Sequence, residues 1–283
     1  MIRIGCTTFS EHGSLVQRKN SKLFEYARYF PLVELDTTYH FLPKEKDVRN
    51  WLTQIPENFR FVLKVHQSVT TQGDLPDQLT MTEALQLYKE AIAPMIEAGK
   101  LFCLLAQFPN SFKCTKENVA YLDQVRDWFA GYPVAIELRD SSWYQPKLYP
   151  GMIDYMKRKQ FSLVVVDQPK KLSTTIPLDP TVTNPEFVLC RFHGRNDSGW
   201  TATGPDAKNL RTLYRYDQAE LTELKQAVQA IEANAKEVAV VFNNNAGRDA
   251  ADNARALIDD VVMTGSAFSV TTSSCTRRCF RLT

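Results

Sequence analysis

Apolar residues follow two alternating rhythms along this chain. Eight short runs rich in Val, Ile, Leu and Phe recur at Ile2–Cys6, Leu32–Asp36, Arg60–Val65, Leu101–Phe108, Val134–Arg139, Ser162–Asp167, Phe187–His193 and Val238–Asn243. Near-continuous apolar runs of this length are the signature of parallel strands buried on both faces. Between most of them, apolar residues return every three or four positions, at Ser21–Tyr29, Lys46–Ile55, Thr80–Ala98, Lys116–Phe129, Leu148–Lys159, Asp217–Ala233 and Asp249–Val262. That spacing places one apolar stripe on a helix. Two of these helices carry a start signal as well, Thr80 with Glu83 and Asp217 with Glu220. In each pair the two side chains satisfy one another's free backbone N–H groups.

Strand–helix alternation predicts a parallel sheet, because parallel strands need crossover connections. Eight such units within residues 1–262 predict a single α/β domain, a (β/α)₈ TIM-type barrel. The alternative is a doubly wound sheet, but no Gly-x-Gly-x-x-Gly follows any strand, so its dinucleotide-binding form has no support. Gln168–Glu186 holds four prolines and no helical period. This predicts an irregular crossover between strands six and seven. Gly194–Tyr216 is too long for an ordinary strand-to-helix turn and is a candidate functional loop. Residues 263–283 are polar and unpatterned, and are expected to form a disordered tail.

Composition narrows the function class. Lys plus Arg number 34 against 32 Asp plus Glu, a net charge of +2. So balanced a chain argues against a nucleic-acid partner, which calls for a basic domain or stripe. The longest unbroken apolar run, Leu101–Ala106, is far short of the ~20 residues of a membrane span. The N-terminus enters a strand directly, with no signal-peptide core. Six cysteines show no Cys-x-x-Cys and no knuckle spacing. Cys6, Cys103 and Cys190 sit in strand-like runs as small hydrophobes. A cytoplasmic globular protein with a small-molecule ligand is the expectation.

The candidate chemistry lies at the strand ends. Side chains two apart on a strand share a face, so Glu34 pairs with Asp36, Glu137 with Arg139, and Arg191 with His193. Leu35, Leu138 and Phe192, between them, face the helices. Lys64, Gln107, Asp167, Asn243 and Asn245 close other strands. The C-terminal mouth of a barrel is where such enzymes place their chemistry. Four carboxylates (Glu34, Asp36, Glu137, Asp167) would there meet Lys64, Arg139, Arg191 and the titratable His193. The competing reading is a structural lattice of mutually neutralising charges. Aromatics in the mouth loops, Tyr39, Phe41, Trp143, Tyr144 and Trp200, offer either packing or a stacking wall. His12, His40 and His66 share no ligand spacing and read as solvent-facing or packing.

Several reactions compete for this set. Glycoside hydrolysis needs two carboxyls flanking a bond, and a Schiff-base lysine needs a depressed pKa that neighbouring carboxylates would deny Lys64. A divalent metal would suit Glu34, Glu137, Asp167 and His193 by ligand type, as in barrel isomerases and nucleases. Arg139 and Arg191 on the same face would repel it, so no metal and no cofactor is expected. Metal-independent acid–base chemistry on a small anionic substrate (phosphorylated, carboxylated or sugar-like) fits best. Glu137, His193, Glu34 and Lys64 are then the catalytic candidates. Arg139, Arg191, Asp36, Asp167, Gln107, Tyr39, Trp143, Asn243 and Asn245 are the binding candidates, the guanidinium forks for an oxyanion and the asparagines as the opening of a helix. A non-catalytic ligand- or nucleic-acid-binding module is the reading from a different class.

Six ordered segments carry a resemblance: Leu23–Pro43, Trp51–Thr70, Ala106–Leu122, Val134–Trp143 (VAIELRDSSW), Phe187–Arg195 (FVLCRFHGR) and Val240–Leu257 (VVFNNNAGRDAADNARAL). The pattern resembles the YecE-like family, a widespread group of unknown function similar to TIM barrels. Members usually begin with Gly-x-x-Gly-Trp, where this chain has Gly5 to Phe9 as GCTTF. The resemblance implies the barrel fold and brings no established reaction.

Overall fold

The structure is a computed structural model that describes residues 1–16, 20–76 and 78–263. Its strands are β1 (Ile2–Thr7), β2 (Leu32–Leu35), β3 (Arg60–Lys64), β4 (Leu101–Phe108), β5 (Val134–Leu138), β6 (Ser162–Leu163), β7 (Val165–Asp167), β8 (Phe187–Phe192) and β9 (Glu237–Phe242). All are parallel, in the order β6-β5-β4-β3-β2-β1-β9-β8-β7. The two ends of that order are consecutive in the chain. β6 and β7 are therefore one strand broken at Val164, and the sheet closes on itself everywhere else. The architecture is the expected (β/α)₈ barrel, with its sixth strand in two pieces.

Around the strands lie α1 (Leu23–Tyr26), α2 (Thr37–His40), α3 (Glu45–Leu52), α4 (Met81–Glu97), α5 (Lys116–Trp128), α6 (Tyr149–Arg158), α7 (Asp197–Thr201), α8 (Ala207–Thr212), α9 (Gln218–Glu232) and α10 (Ala250–Met263). Both expected start signals are formed. Thr80 accepts from Glu83 N while Glu83 accepts from Thr80 N, and Asp217 and Glu220 do the same. No helix follows β7 before β8, so the proline-rich crossover stays irregular. Of the expected tail, residues 263–283, Met263 ends α10 and residues 264–283 lie outside the described residues. Among the described residues no helix is long and apolar enough to cross a membrane.

Period-two alternation sorts the strands into two cores. Outward side chains such as Val33, Leu63, Leu104, Ile136, Phe192 and Val240 pack against the helices. Inward ones, including Leu32, Val62, Leu105, Ala135, Leu189 and Val241, fill the barrel. Burying one such side chain is worth roughly 1.5–3 kcal/mol, so both columns contribute to holding the strands together. Phe102 and Phe187, edge to face at 5.9 Å, contribute to this inner core. Towards the C-terminal ends of the strands the inner side chains turn polar, and the site begins there.

Candidate functional site

The inner column ends in a layer of paired charge. Arg191 of β8 is fully buried. Its Nε and Nη2 donate to the two oxygens of Glu34 at 2.7 and 2.6 Å, and its Nη1 donates to Glu137 Oε2 and, at 3.1 Å, to Gln107 Oε1. Arg139 reaches back over the end of β5 to give Nε to Glu137 Oε1 at 2.8 Å and Nη2 to Gln107 Oε1 at 2.9 Å. Burial alone would raise the pKa of Glu137, but Arg191 and Arg139 overcome it and hold the carboxyl well below its usual range. Glu34, Arg191 and Glu137 thus form a saturated floor.

Above this floor opens a cavity of about 690 Å³. Lys64, Gln107, Arg139, His193 and Asn243 rise into its wall from the strand ends. Asp36 and Tyr39 join them from the turn after β2, with Asp36 2.8 Å from Lys64 Nζ and the Tyr39 ring 5.4 Å from it. His193 Nδ1 accepts from the amide of Asn243 at 2.8 Å, which leaves the ring proton on Nε2, 3.6 Å from Glu137 Oε1. Burial pushes the imidazole pKa down to about 4, against the pull of Glu137. His193 is therefore neutral near pH 7.

The roof comes from the segment between β8 and α9, which folds into α7 and α8. Asn196 caps α7 through Gly199 N and also donates to the carbonyls of Leu210 and Leu213, pinning the two helices together. At Gly199 a Cβ would lie 2.1 Å from Leu210 O, so only glycine permits this approach. The excursion brings Trp200 and Arg211 over the cavity, the guanidinium 5.2 Å from the indole centroid. Arg248 and Asn245 close the side beneath β9, with Asn245 donating to Glu11.

Several expected site residues lie elsewhere. Glu34, Glu137 and Arg191 are beneath the cavity and do not line it. Asp167 faces away. Val164 and Val166 take the inner face of the broken strand, so Asp167 falls on the outer one with Val165. There it accepts from Arg195 (2.6 and 2.9 Å) and from Tyr216 (2.7 Å), tying both ends of the excursion to β7. Trp143 is buried, its Nε1 donating to Phe112 O at 2.7 Å and its ring stacked on Phe112, so it packs and offers no stacking surface. Phe41 is 72% exposed and outside the cavity. The helix expected at Asn243–Asn245 begins only at Ala250, which removes the helix-opening argument for those asparagines. His12 is buried against the carbonyls of Thr7 and Thr8, while His40 lines the cavity. Arg211, Arg248, Thr8 and Glu11 also line it and were not singled out by the sequence. Their loops have no periodicity to mark them, although the length of Gly194–Tyr216 did mark the excursion.

A (β/α)₈ barrel with a polar cavity at its C-terminal mouth is the class these features define. The chain belongs to the family described as "Protein of unknown function DUF72", whose model matches residues 3–276. It is 34% identical over 276 residues to the UPF0759 protein YunF of Bacillus subtilis, covering 94% of this chain and 98% of that one. A shorter match, 39% identical over 75 residues, joins it to the UPF0759 protein YecE of Escherichia coli (26% of this chain, 27% of that one). Among solved structures, a DUF72 family protein from Enterococcus faecalis superimposes with a TM-score of 0.89 at 48% identity, over 93% of this chain and 96% of that one. Another from Thermotoga maritima gives 0.77 at 31% identity, over 93% and 99%.

Proposed function

We propose that the cavity binds a small anionic substrate, carboxylated, phosphorylated or sugar-like, and that His193 moves a proton on it without a metal. The observation that carries this reading is a set of orphaned polar atoms. Among the described residues, Thr8 Oγ1, Trp200 Nε1 and Arg211 Nε are all buried without a hydrogen-bond partner, and all three residues line this one cavity. Buried polar groups are otherwise almost always paired, and a ligand oxyanion would satisfy the donors among them. The lining charge agrees: Lys64, Arg139, Arg211 and Arg248 stand against Glu11 and Asp36.

Acid–base chemistry follows from the surroundings of His193. A ligand that displaces the Asn243 amide meets Nδ1 of a neutral imidazole, able to take a proton. Glu137, ionised on the far side of the ring, would stabilise the imidazolium that results, as a carboxylate does behind a histidine base. A metal-dependent isomerase or nuclease finds less support, because both oxygens of Glu34 and of Glu137 are held by guanidinium groups. Lys64, gripped by Asp36, serves better as an electrostatic wall than as a nucleophile.

A thermal-shift screen of carboxylates, sugar phosphates, neutral sugars and divalent metals tests the reading. A ligand at ~100 times its dissociation constant adds about 2.7 kcal/mol. Anions should stabilise the protein and neutral sugars should not, with His193→Gln binding the hit yet failing to turn it over. Stabilisation by divalent metals alone would refute the proposal.

A further inference from the structure

We propose that Arg211, carried over the cavity by the excursion between β8 and α9, grips the ligand's oxyanion (a carboxylate or phosphoryl group) together with Trp200 and Arg139. This rests on reading the cavity as an anion site, and adds which residues hold the charge.

Three cations of the strand ends each hold a carboxylate partner. Lys64 sits 2.8 Å from Asp36, Arg139 2.8 Å from Glu137, and Arg191 2.6 Å from Glu34. Among the described residues Arg211 makes no ion pair of this kind. Its guanidinium lies over the indole of Trp200, and its Nε is buried with no acceptor. An unpaired buried donor is costly, more so on a charged group. Burial, and then the positive charge of Arg139, both disfavour its protonated form. Two guanidinium groups within electrostatic reach of one another, with an empty space between the roof and β5, define a place for negative charge.

The donors are also held in place. The guanidinium carbon lies over the indole face, 5.2 Å from its centroid, a cation–π contact that restrains the Arg211 side chain. Trp200 Nε1, itself buried and unpartnered, adds a third N–H beside it. The two residues come from different short helices, α7 and α8, and the close approach at Gly199 together with the Asn196 side chain locks those helices together. A preorganised set of donors loses little freedom when an anion arrives. Lysine could not reproduce it, having one point charge and no Nε.

The test titrates the full-length chain with inorganic phosphate and separately with acetate, followed by calorimetry and by tryptophan fluorescence. The wild type should bind at least one of them, and the preferred probe identifies the phosphoryl or the carboxylate group as the ligand's anchor. Arg211→Gln should weaken that binding about ten- to a hundredfold, the usual worth of a charge-assisted hydrogen bond, with Arg211→Lys in between. Trp200→Phe should remove the fluorescence change. Lys236→Gln, at the opposite end of the barrel on the exposed Glu186 ion pair, should bind as the wild type does. Each variant must keep its melting temperature, so that lost affinity is not lost fold. Wild-type affinity in Arg211→Gln would overturn the assignment while leaving the anion cavity standing. Failure of the wild type to bind either anion would take down the cavity reading itself.

Discussion

Arg191 and Arg211 are both arginines of the same mouth, some twenty residues apart in sequence, yet their surroundings are opposite. Each of the three guanidinium nitrogens of Arg191 donates to Glu34, Glu137 or Gln107, in a layer without access to solvent. Arg211 has an aromatic face beneath it, an orphaned Nε, and a cavity in front of it. The first arrangement is complete without a ligand and the second is not. A cluster of strand-end charges is therefore not one object: its lower layer is fully paired, and its upper layer opens on the cavity.

Substitutions that attack the lower layer should have the largest effects. Glu34→Gln deprives Arg191 of its charged partner, and breaking a buried pair in this way costs roughly 3–5 kcal/mol. In a domain this size that corresponds to a fall in melting temperature of about 6–20 °C. A melting temperature unchanged in Glu34→Gln would erase the distinction between floor and rim. Glu137→Gln should show both faults, since Glu137 supports Arg191 below and faces His193 above: a lower melting temperature together with lost turnover.

Next in size is a pH effect seated between the layers. The folded state holds the His193 pKa at about 4 against the ordinary 6.5, through burial. Between those values the unfolded chain binds more protons than the native one, so stability rises with pH across that window and is lost as pH falls through it. The full difference is worth roughly 3 kcal/mol. His12 and His66 are shifted in the same direction, also through burial, and add to the slope below pH 6.5. The check is thus the slope: denaturant melts of wild type and His193→Gln from pH 7 to pH 4 should diverge, with the flatter curve belonging to the variant. Parallel curves would show that His193 titrates in the native state as it does in the unfolded chain.

Changes at the rim should have the smallest effect on the fold. Arg248→Gln and Trp200→Phe remove no carboxylate partner, so their unfolding free energies should stay within about 0.5 kcal/mol of wild type. A larger loss in calorimetric melts would make the rim part of the lattice.

How far the sequence carried this can be judged residue by residue. The barrel was legible because eight apolar runs and the helices between them each obey one period. The inner-face placement of Glu34, Lys64, Gln107, Glu137, Arg191, His193 and Asn243 follows from alternation by two. Asp167 went astray because it was placed by its position at a strand end, whereas Val164 and Val166 already claim the inner face of that strand. Depth was not legible at all: alternation gives the face of a side chain but not whether it is covered by the next layer. Trp143 and Trp200 look alike as loop aromatics, and only the contact with Phe112 separates packing from lining. Arg211 sits in a stretch whose fold depends on one asparagine and one glycine, a contact pattern with no period to read.

The break at Val164 leaves backbone groups that another segment has to satisfy. A closed barrel offers no unpaired strand rim for another chain to extend, and an interrupted strand reintroduces one. The proline-rich crossover covers it: Thr183 takes the N–H of Leu163 at 2.8 Å and gives its own hydroxyl to Phe161 O at 2.9 Å. One hydroxyl thus stands in for a missing stretch of ladder. Thr183→Val would leave the buried N–H of Leu163 without its acceptor, a loss of roughly 1–3 kcal/mol that a calorimetric melt would read.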